Sequence, residues 1–173
     1  MNLIVTCSRH LEEEASDEIS NILQTLGDDG VKAKSSDFSG IVVVDTSLDP
    51  FEVVGKIRTK ILDEPWSVRY CHRFIPIQES TKTTLGAIVE SVQRHIGNMQ
   101  SDDSYRITIE KRGSELSSKE IIDSIAEIVE NKVSLEKYDW NIIVEVLGNM
   151  TGVSVLKEQG IVSTLKLKRD SME

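Results

Sequence analysis

The sequence predicts an α+β protein of two consecutive units, residues 1–72 and residues 73–169. Three observations carry this reading. Short apolar runs alternate with helix-period segments along the 173 residues. The order of those elements is βαββαβ in the first part and βαβαββ in the second. No flexible linker separates the parts, so the strand-like segment Ser67–Ile77 is expected to belong to both.

In the first unit, Asn2–Cys7 is a short apolar run, as in a buried strand. His10–Leu26 places Leu11, Ala15, Ile19, Ile22, Leu23 and Leu26 at helical spacing. Glu12, Glu13 and Glu14 fall in its first turn, where acids favour the helix dipole and read as a solvated helix end. Gly27 ends it, and Asp28–Gly30 is a turn. Val31–Ser35 and Gly40–Asp45 are strands, the latter around the apolar run Ile41–Val44. Asp49-Pro50 opens a second helix, with an N-cap followed by proline at the first helical position. Phe51, Val54, Ile57 and Ile61 line its apolar face, and Pro65 closes the segment. Ser67–Ile77 completes a ferredoxin-like order.

In the second unit, Pro76 marks a strand end or edge because it lacks a ladder donor. Thr83 or Thr84 caps a helix whose apolar face is Leu85, Ile88, Val89, Val92 and Ile96, and Gly97 stops it. Tyr105, Ile107 and Ile109 alternate with Arg106, Thr108 and Glu110, a period of two. Ser117–Glu120 reads as a capping box before a helix expected to bury Ile121, Ile122, Ile125, Ile128 and Val129. Ile142, Val144 and Val146 form the next strand. A turn of about five residues around Met150 returns the chain through Val153–Leu156. The basic tail Ile161–Arg169 has no assignment from the sequence.

Composition narrows the class. Hydrophobic residues make up 39% and charged residues 28%, as in a globular protein. No apolar run reaches the roughly 18 residues of a membrane helix. The N-terminus does not read as a secretory signal. Cys7 and Cys71 make neither a disulfide framework nor a zinc spacing. A cytoplasmic protein with buried free thiols, and no membrane partner, is therefore expected. The net charge is −9, which argues against indiscriminate nucleic-acid binding. The acid is uneven: residues 1–68 hold 6 Lys+Arg against 13 Asp+Glu, and residues 69–173 hold 14 against 16. That leaves room for a local basic patch in the second part.

Motifs for nucleotide loops, zinc proteases and nucleophile elbows are absent from the sequence. His10, His72 and His95 are single and far apart, so no metal trio is expected. Cys71 and His72 are adjacent on a strand and so point to opposite faces, which disqualifies them as a nucleophile and its base. The expectation is a protein with no catalytic residues, no metal and no cofactor.

What remains is cations at element ends. Arg69 and Arg73 share a strand face. Lys82 precedes a helix. Lys111 and Arg112 end a strand beside Gly113, which permits close approach of a ligand. Lys157 ends the last strand, and Lys166, Lys168 and Arg169 lie in the tail. If the strand ends cluster, these form one positive rim, with arginine suited to bidentate phosphate contact and lysine acting as a point charge. The alternative use is solubilising pairing with Glu110, Glu115 and Glu158. Tyr105, Tyr138 and Trp140 are the aromatics considered for base stacking, with Tyr105 and Trp140 read as core.

The run Tyr105–Arg112, the helix from Ser117, Val133–Leu135, Asp139, Ile142–Val146 and Val153–Leu156 together resemble a THUMP domain. Arg73–Ile77 and the following helix resemble the lead-in of the branch that assists tRNA cytidine acetylation. In that branch a ferredoxin-like domain precedes the THUMP domain. Tyr138 stands where the family often carries proline, a difference confined to a turn. The resemblance implies tRNA as ligand, bound at its acceptor-stem and 3′ end. It implies a stand-alone, non-catalytic adaptor for a separate RNA acetyltransferase that makes N4-acetylcytidine. It also carries a binding role to Arg73, Lys111 and Arg112. With Lys82 and Lys157 these are the five candidate RNA-binding residues. The alternative is a protein–protein scaffold with no RNA contact of its own.

Overall fold

A computed structural model describes residues 1–172. The chain divides into two compact units, one formed by Met1–Pro76 with the segment from Gln159 onward, the other by Ile77–Glu158. The α+β class and the two-unit arrangement are as the sequence predicts.

The first unit runs β1 (Leu3–Cys7), α1 (Glu12–Thr25), β2 (Lys32–Ser35), β3 (Ile41–Asp45), α2 (Pro50–Asp63) and β4 (Cys71–Pro76). Its antiparallel sheet has the order β4-β1-β3-β2, the ferredoxin-like arrangement. A fifth strand lies at its edge and comes from the far end of the chain, as described below. Leu3, Val5, Val42, Val44 and Phe74 form one core with Ala15, Ile19 and Leu23 of α1 and Val53, Ile57 and Ile61 of α2. Full burial of each such aliphatic side chain contributes roughly 1.5–3 kcal/mol.

Carboxylates fasten the loops of this unit. Asp49 caps α2 by accepting from the Phe51 N–H at 2.9 Å, as its place before Pro50 predicts. Asp28 is buried and accepts from the Thr46 hydroxyl and from the Ser47 N–H and hydroxyl, both at 2.9 Å. These bonds, the Thr46 hydroxyl first, hold its carboxyl below the usual range against the cost of burial. Glu12 is not merely solvated: it accepts from the Gly40 N–H at 2.8 Å. Gly40 has φ +76°, and a Cβ there would meet the Cys7 carbonyl oxygen at 2.8 Å, so only glycine fits. Glu18 accepts from three successive backbone N–H groups, Arg69, Tyr70 and Cys71, at 2.8–3.0 Å.

The second unit runs β5 (Glu79–Lys82), α3 (Leu85–His95), β6 (Ser104–Arg112), α4 (Ser118–Ile128), β7 (Lys132–Val133), β8 (Trp140–Leu147) and β9 (Met150–Leu156). The sheet order is β5-β9-β8-β6-β7. β6 pairs parallel with β8 and β7, and the other pairs are antiparallel. α3 and α4 pack against each other and share a core with Tyr105, Ile142, Val144, Val146, Val153 and Val155. Thr84 and Ser117 are the helix caps, accepting from the N–H groups of Ala87 and Glu120. Beyond Trp140, β8 is buried on both of its faces.

Four sequence expectations change. The segment Ser67–Ile77 is not shared: β4 pairs with β1 through Leu3↔Pro76 to Cys7↔Cys71 and lies wholly in the first unit. The division therefore falls after Pro76 rather than at residues 72/73. The second sheet begins instead with β5, whose polar sequence Glu-Ser-Thr-Lys carries no apolar alternation to reveal it. The β8–β9 turn has two residues, not five, because Leu147 pairs directly with Met150 and Gly148 supplies a positive φ of 63°. Ile122 is 39% exposed, since it lies off the α4 face that buries Ile121 and Ile125.

The unassigned tail forms β10 (Val162–Ser163) and α5 (Thr164–Ser171). β10 pairs with β4 at Val162↔Phe74 and Ser163↔Arg73. Arg58 of α2 donates to the carbonyls of Gln159 and Ile161, and the Lys168 ammonium donates to the Val68 carbonyl at 2.8 Å. Val162 is fully buried. The tail therefore completes the first unit.

Candidate functional site

Sheet register sorts the five candidate cations. Arg112 pairs with Leu147, Leu147 with Met150, and Met150 with Lys82. Lys82, Arg112 and neighbouring Lys111 thus lie at one end of the second sheet. Three chain segments are tied together there. The Gly148 N–H donates to the Arg112 carbonyl at 2.8 Å, and the Thr83 N–H donates to the Asn149 carbonyl at 3.1 Å. Gly113, with φ +66°, turns the chain away immediately after Arg112. The result is a rim of backbone turns carrying two exposed lysines and the 49% exposed Met150.

The cations at this rim are not equivalent. Lys111 and Arg112 leave β6 on opposite faces, as adjacent strand residues must. The Lys111 ammonium donates to the Leu116 carbonyl at 2.8 Å, just ahead of the α4 cap. The Arg112 guanidinium pairs at 2.8 Å with Glu145, a carboxylate only 1% exposed on β8. Much of the Arg112 charge therefore serves the sheet. Lys82 is exposed at the end of β5.

Lys157 lies at the other end of this sheet. It follows Leu156, which pairs with Asn141 near the start of β8. Its ammonium sits 5.1 Å from the centre of the Trp140 ring. The Trp140 indole N–H donates to the Asp103 carboxylate at 2.9 Å. Trp140 is thus half-buried and fastened, while Tyr105 is core. Arg106 lies over the Tyr138 ring at 5.5 Å and donates to the Leu135 carbonyl. The sequence reading did not single out Arg106, although its place opposite the buried face of β6 was the available signal. Arg73 belongs to the first unit, half-buried between Thr6 and Ser163. Within the second unit the candidate cations are therefore a group of three at one end of the sheet, with Lys157 at the other end.

Glu79 holds the edge strand that carries Lys82. It accepts from Arg94 at 2.6 and 3.1 Å, from Ser91 at 2.7 Å, and contacts His95 at 3.0 Å. The Arg94 bonds are the main reason its carboxyl is pulled down to about 2. His95 is thereby accounted for as a strand-to-helix contact. Cys71 is buried and donates to the Ala15 carbonyl at 3.4 Å. Burial pushes its thiol far up, so a reactive thiolate is disfavoured. Among the described residues no group of three or more His, Cys, Asp or Glu could hold a metal ion. None of their helices is long and apolar enough to cross a membrane.

A parallel-and-antiparallel sheet with two helices packed on it, preceded by a ferredoxin-like unit, defines the class. Residues 82–156 match the family model of the THUMP domain, so the second unit carries a THUMP domain. No curated protein matches the chain. Among solved structures, PH1313 from Pyrococcus horikoshii Ot3 superposes with a TM-score of 0.67 at 18% identity, over 91% of this chain and 55% of that one. TrmN from Thermus thermophilus gives 0.62 at 16%, over 90% and 45%. A 4-thiouridine synthetase in complex with RNA and ATP gives 0.56 at 12%, over 94% and 42%. These likenesses establish a shared fold across both units. The chain spans about half the length of these structures, or less.

Proposed function

We propose that this chain is a non-catalytic tRNA-binding adaptor that presents the acceptor-stem and 3′ end to a separate modifying enzyme, an RNA cytidine acetyltransferase making N4-acetylcytidine. The THUMP match over residues 82–156 carries the reading. It is supported by likeness in fold, over both units, to a synthetase whose structure contains RNA. The rim at Lys82, Lys111 and Arg112 adds a physical means: point charges beside tight backbone turns, which let a phosphate chain approach closely. Recognition through shape and phosphates suits an RNA helix end, and unpaired bases would add stacking or hydrogen bonds.

The test is tRNA binding by mobility shift across a salt series. Lys82→Ala and Lys111→Ala should each weaken binding and lower the slope of log K against log salt by about 0.7–0.9 if each removes one phosphate contact. Equal affinity for tRNA and an unrelated RNA at physiological salt would sink the reading. The acetylation step is tested separately, by whether this chain raises N4-acetylcytidine formation when added to an RNA acetyltransferase and tRNA. A second reading, a scaffold that binds only protein, draws support from charge. The first unit holds 11 Lys+Arg against 15 Asp+Glu, and the second holds 9 against 14, so neither is net basic. Selective tRNA binding would eliminate it.

A further inference from the structure

The first unit has a groove between its two long helices. α1 and α2 share the core beneath them and enclose, above it, a groove of about 510 Å³. The half-buried Leu26 and Tyr70 are its accessible apolar side chains, above the core residues Ile22 and Ile57, and its two helical walls differ in charge. The α1 wall carries Glu14 and Asp17, and the α2 wall carries Lys56 and Lys60. No ion pair joins the walls among the described residues. Lys60 is instead 4.0 Å from Glu64 on its own helix. Tyr70 and Ser67 lie in the same lining, and Trp66, next to Ser67 in the chain, is 72% exposed.

We infer that this groove receives an amphipathic helical segment of a protein partner. The segment would set an apolar ridge on Leu26 and Tyr70, basic residues toward Glu14 and Asp17, and acidic residues toward Lys56 and Lys60. Helix-in-groove recognition uses this division between apolar anchors and charged edges. Exposed tryptophan beside a groove is a common anchor of protein interfaces. α1 carries five carboxylates and no basic residue, so its wall repels a phosphate backbone. The occupant is therefore protein and not RNA. That the partner is the modifying enzyme rests on the adaptor reading; the chemistry of the groove does not.

The test uses the isotope-labelled full chain and three synthetic helices with the same leucine ridge. One has lysines on one edge and glutamates on the other, one has glutamates on both, and one has lysines on both. The mixed-edge helix should bind saturably and best, with shifts centred on Leu26 and Tyr70. Glu14→Lys/Asp17→Lys makes both walls basic. It should weaken the mixed-edge helix about tenfold and make the glutamate-edged helix the best ligand. Both substitutions are on exposed helix positions, so the fold is retained. The inference is overturned by absence of saturable binding, by equal affinity for the three helices, or by shifts that map outside the groove. tRNA is titrated in parallel on the unmodified chain. Loss of tRNA selectivity there would remove the adaptor reading while leaving the groove result intact.

Discussion

Lys111 and Arg112 diverge onto opposite faces of β6, and their substitutions should separate. Arg112→Ala removes the guanidinium from a buried Glu145 and should cost about 3 kcal/mol of stability. Lys111→Ala loses one exposed hydrogen bond to a carbonyl and should cost about 1 kcal/mol or less. Urea unfolding of the two variants checks this. A similar loss for both would mean that the Arg112–Glu145 pair is not holding the strands. RNA binding is better probed at Lys82 and Lys111 than at Arg112, whose loss confounds affinity with folding. Glu79 gives a pH signature. Its carboxyl is lowered to about 2 in the folded chain, chiefly by Arg94, against an ordinary value near 4.5. A lowered folded-state value contributes stability that is present above the ordinary value and lost as pH falls toward about 2. Stability should therefore decline between about pH 4.5 and 2, and Glu79→Gln should flatten that decline. An unchanged pH profile in the variant would remove Glu79 from the account.

At the scale of elements, Glu18 shows how one side chain can set a strand. It collects the N–H groups of Arg69, Tyr70 and Cys71 and so fixes the entry to β4. Glu18→Ala leaves three backbone donors without that acceptor and should cost about 1–3 kcal/mol, with faster amide exchange at those residues. Unaltered exchange there would show that water replaces the carboxylate fully. Such contacts also explain what the sequence could disclose. The helices from Asp49, Thr84 and Ser117 were legible because their caps and apolar spacing are local signals. The alternation in β6 was legible for the same reason. β5 was not, because an edge strand built of Glu-Ser-Thr-Lys is specified by pairing with β9 and by Glu79 reaching α3. Of the site, the residue types were readable and their grouping was not. Whether Lys157 joins Lys82 depends on β5 running antiparallel to β9, which sets Lys82 opposite Met150 and which the polar sequence of β5 does not encode.

At the scale of the whole chain, charge and topology both depend on the tail. Residues 1–68 alone are markedly acidic, with 6 Lys+Arg against 13 Asp+Glu. The structure returns Lys166, Lys168 and Arg169 to that same unit. Truncation after Glu158 removes β10 and α5, including the buried Val162, and takes the carbonyl acceptors away from Arg58. The truncated chain should lose several degrees in the melting of the first unit, since one buried valine alone is worth about 1.5 kcal/mol or more. Two-probe thermal melting measures this, and a truncation that leaves the first transition in place would mean that the tail only rests on the surface.

The pairing of β10 with β4 also has a consequence for synthesis. The last strand of the first unit emerges from the ribosome only after all of Ile77–Glu158 has been made. N-terminal folding ahead of translation is the usual order. Here the N-terminal sheet waits with its β4 edge open while the THUMP unit has everything it needs. The unit that begins first in the chain is thus the one that finishes last, and its exposed edge is the point at which a nascent-chain chaperone would be expected to act.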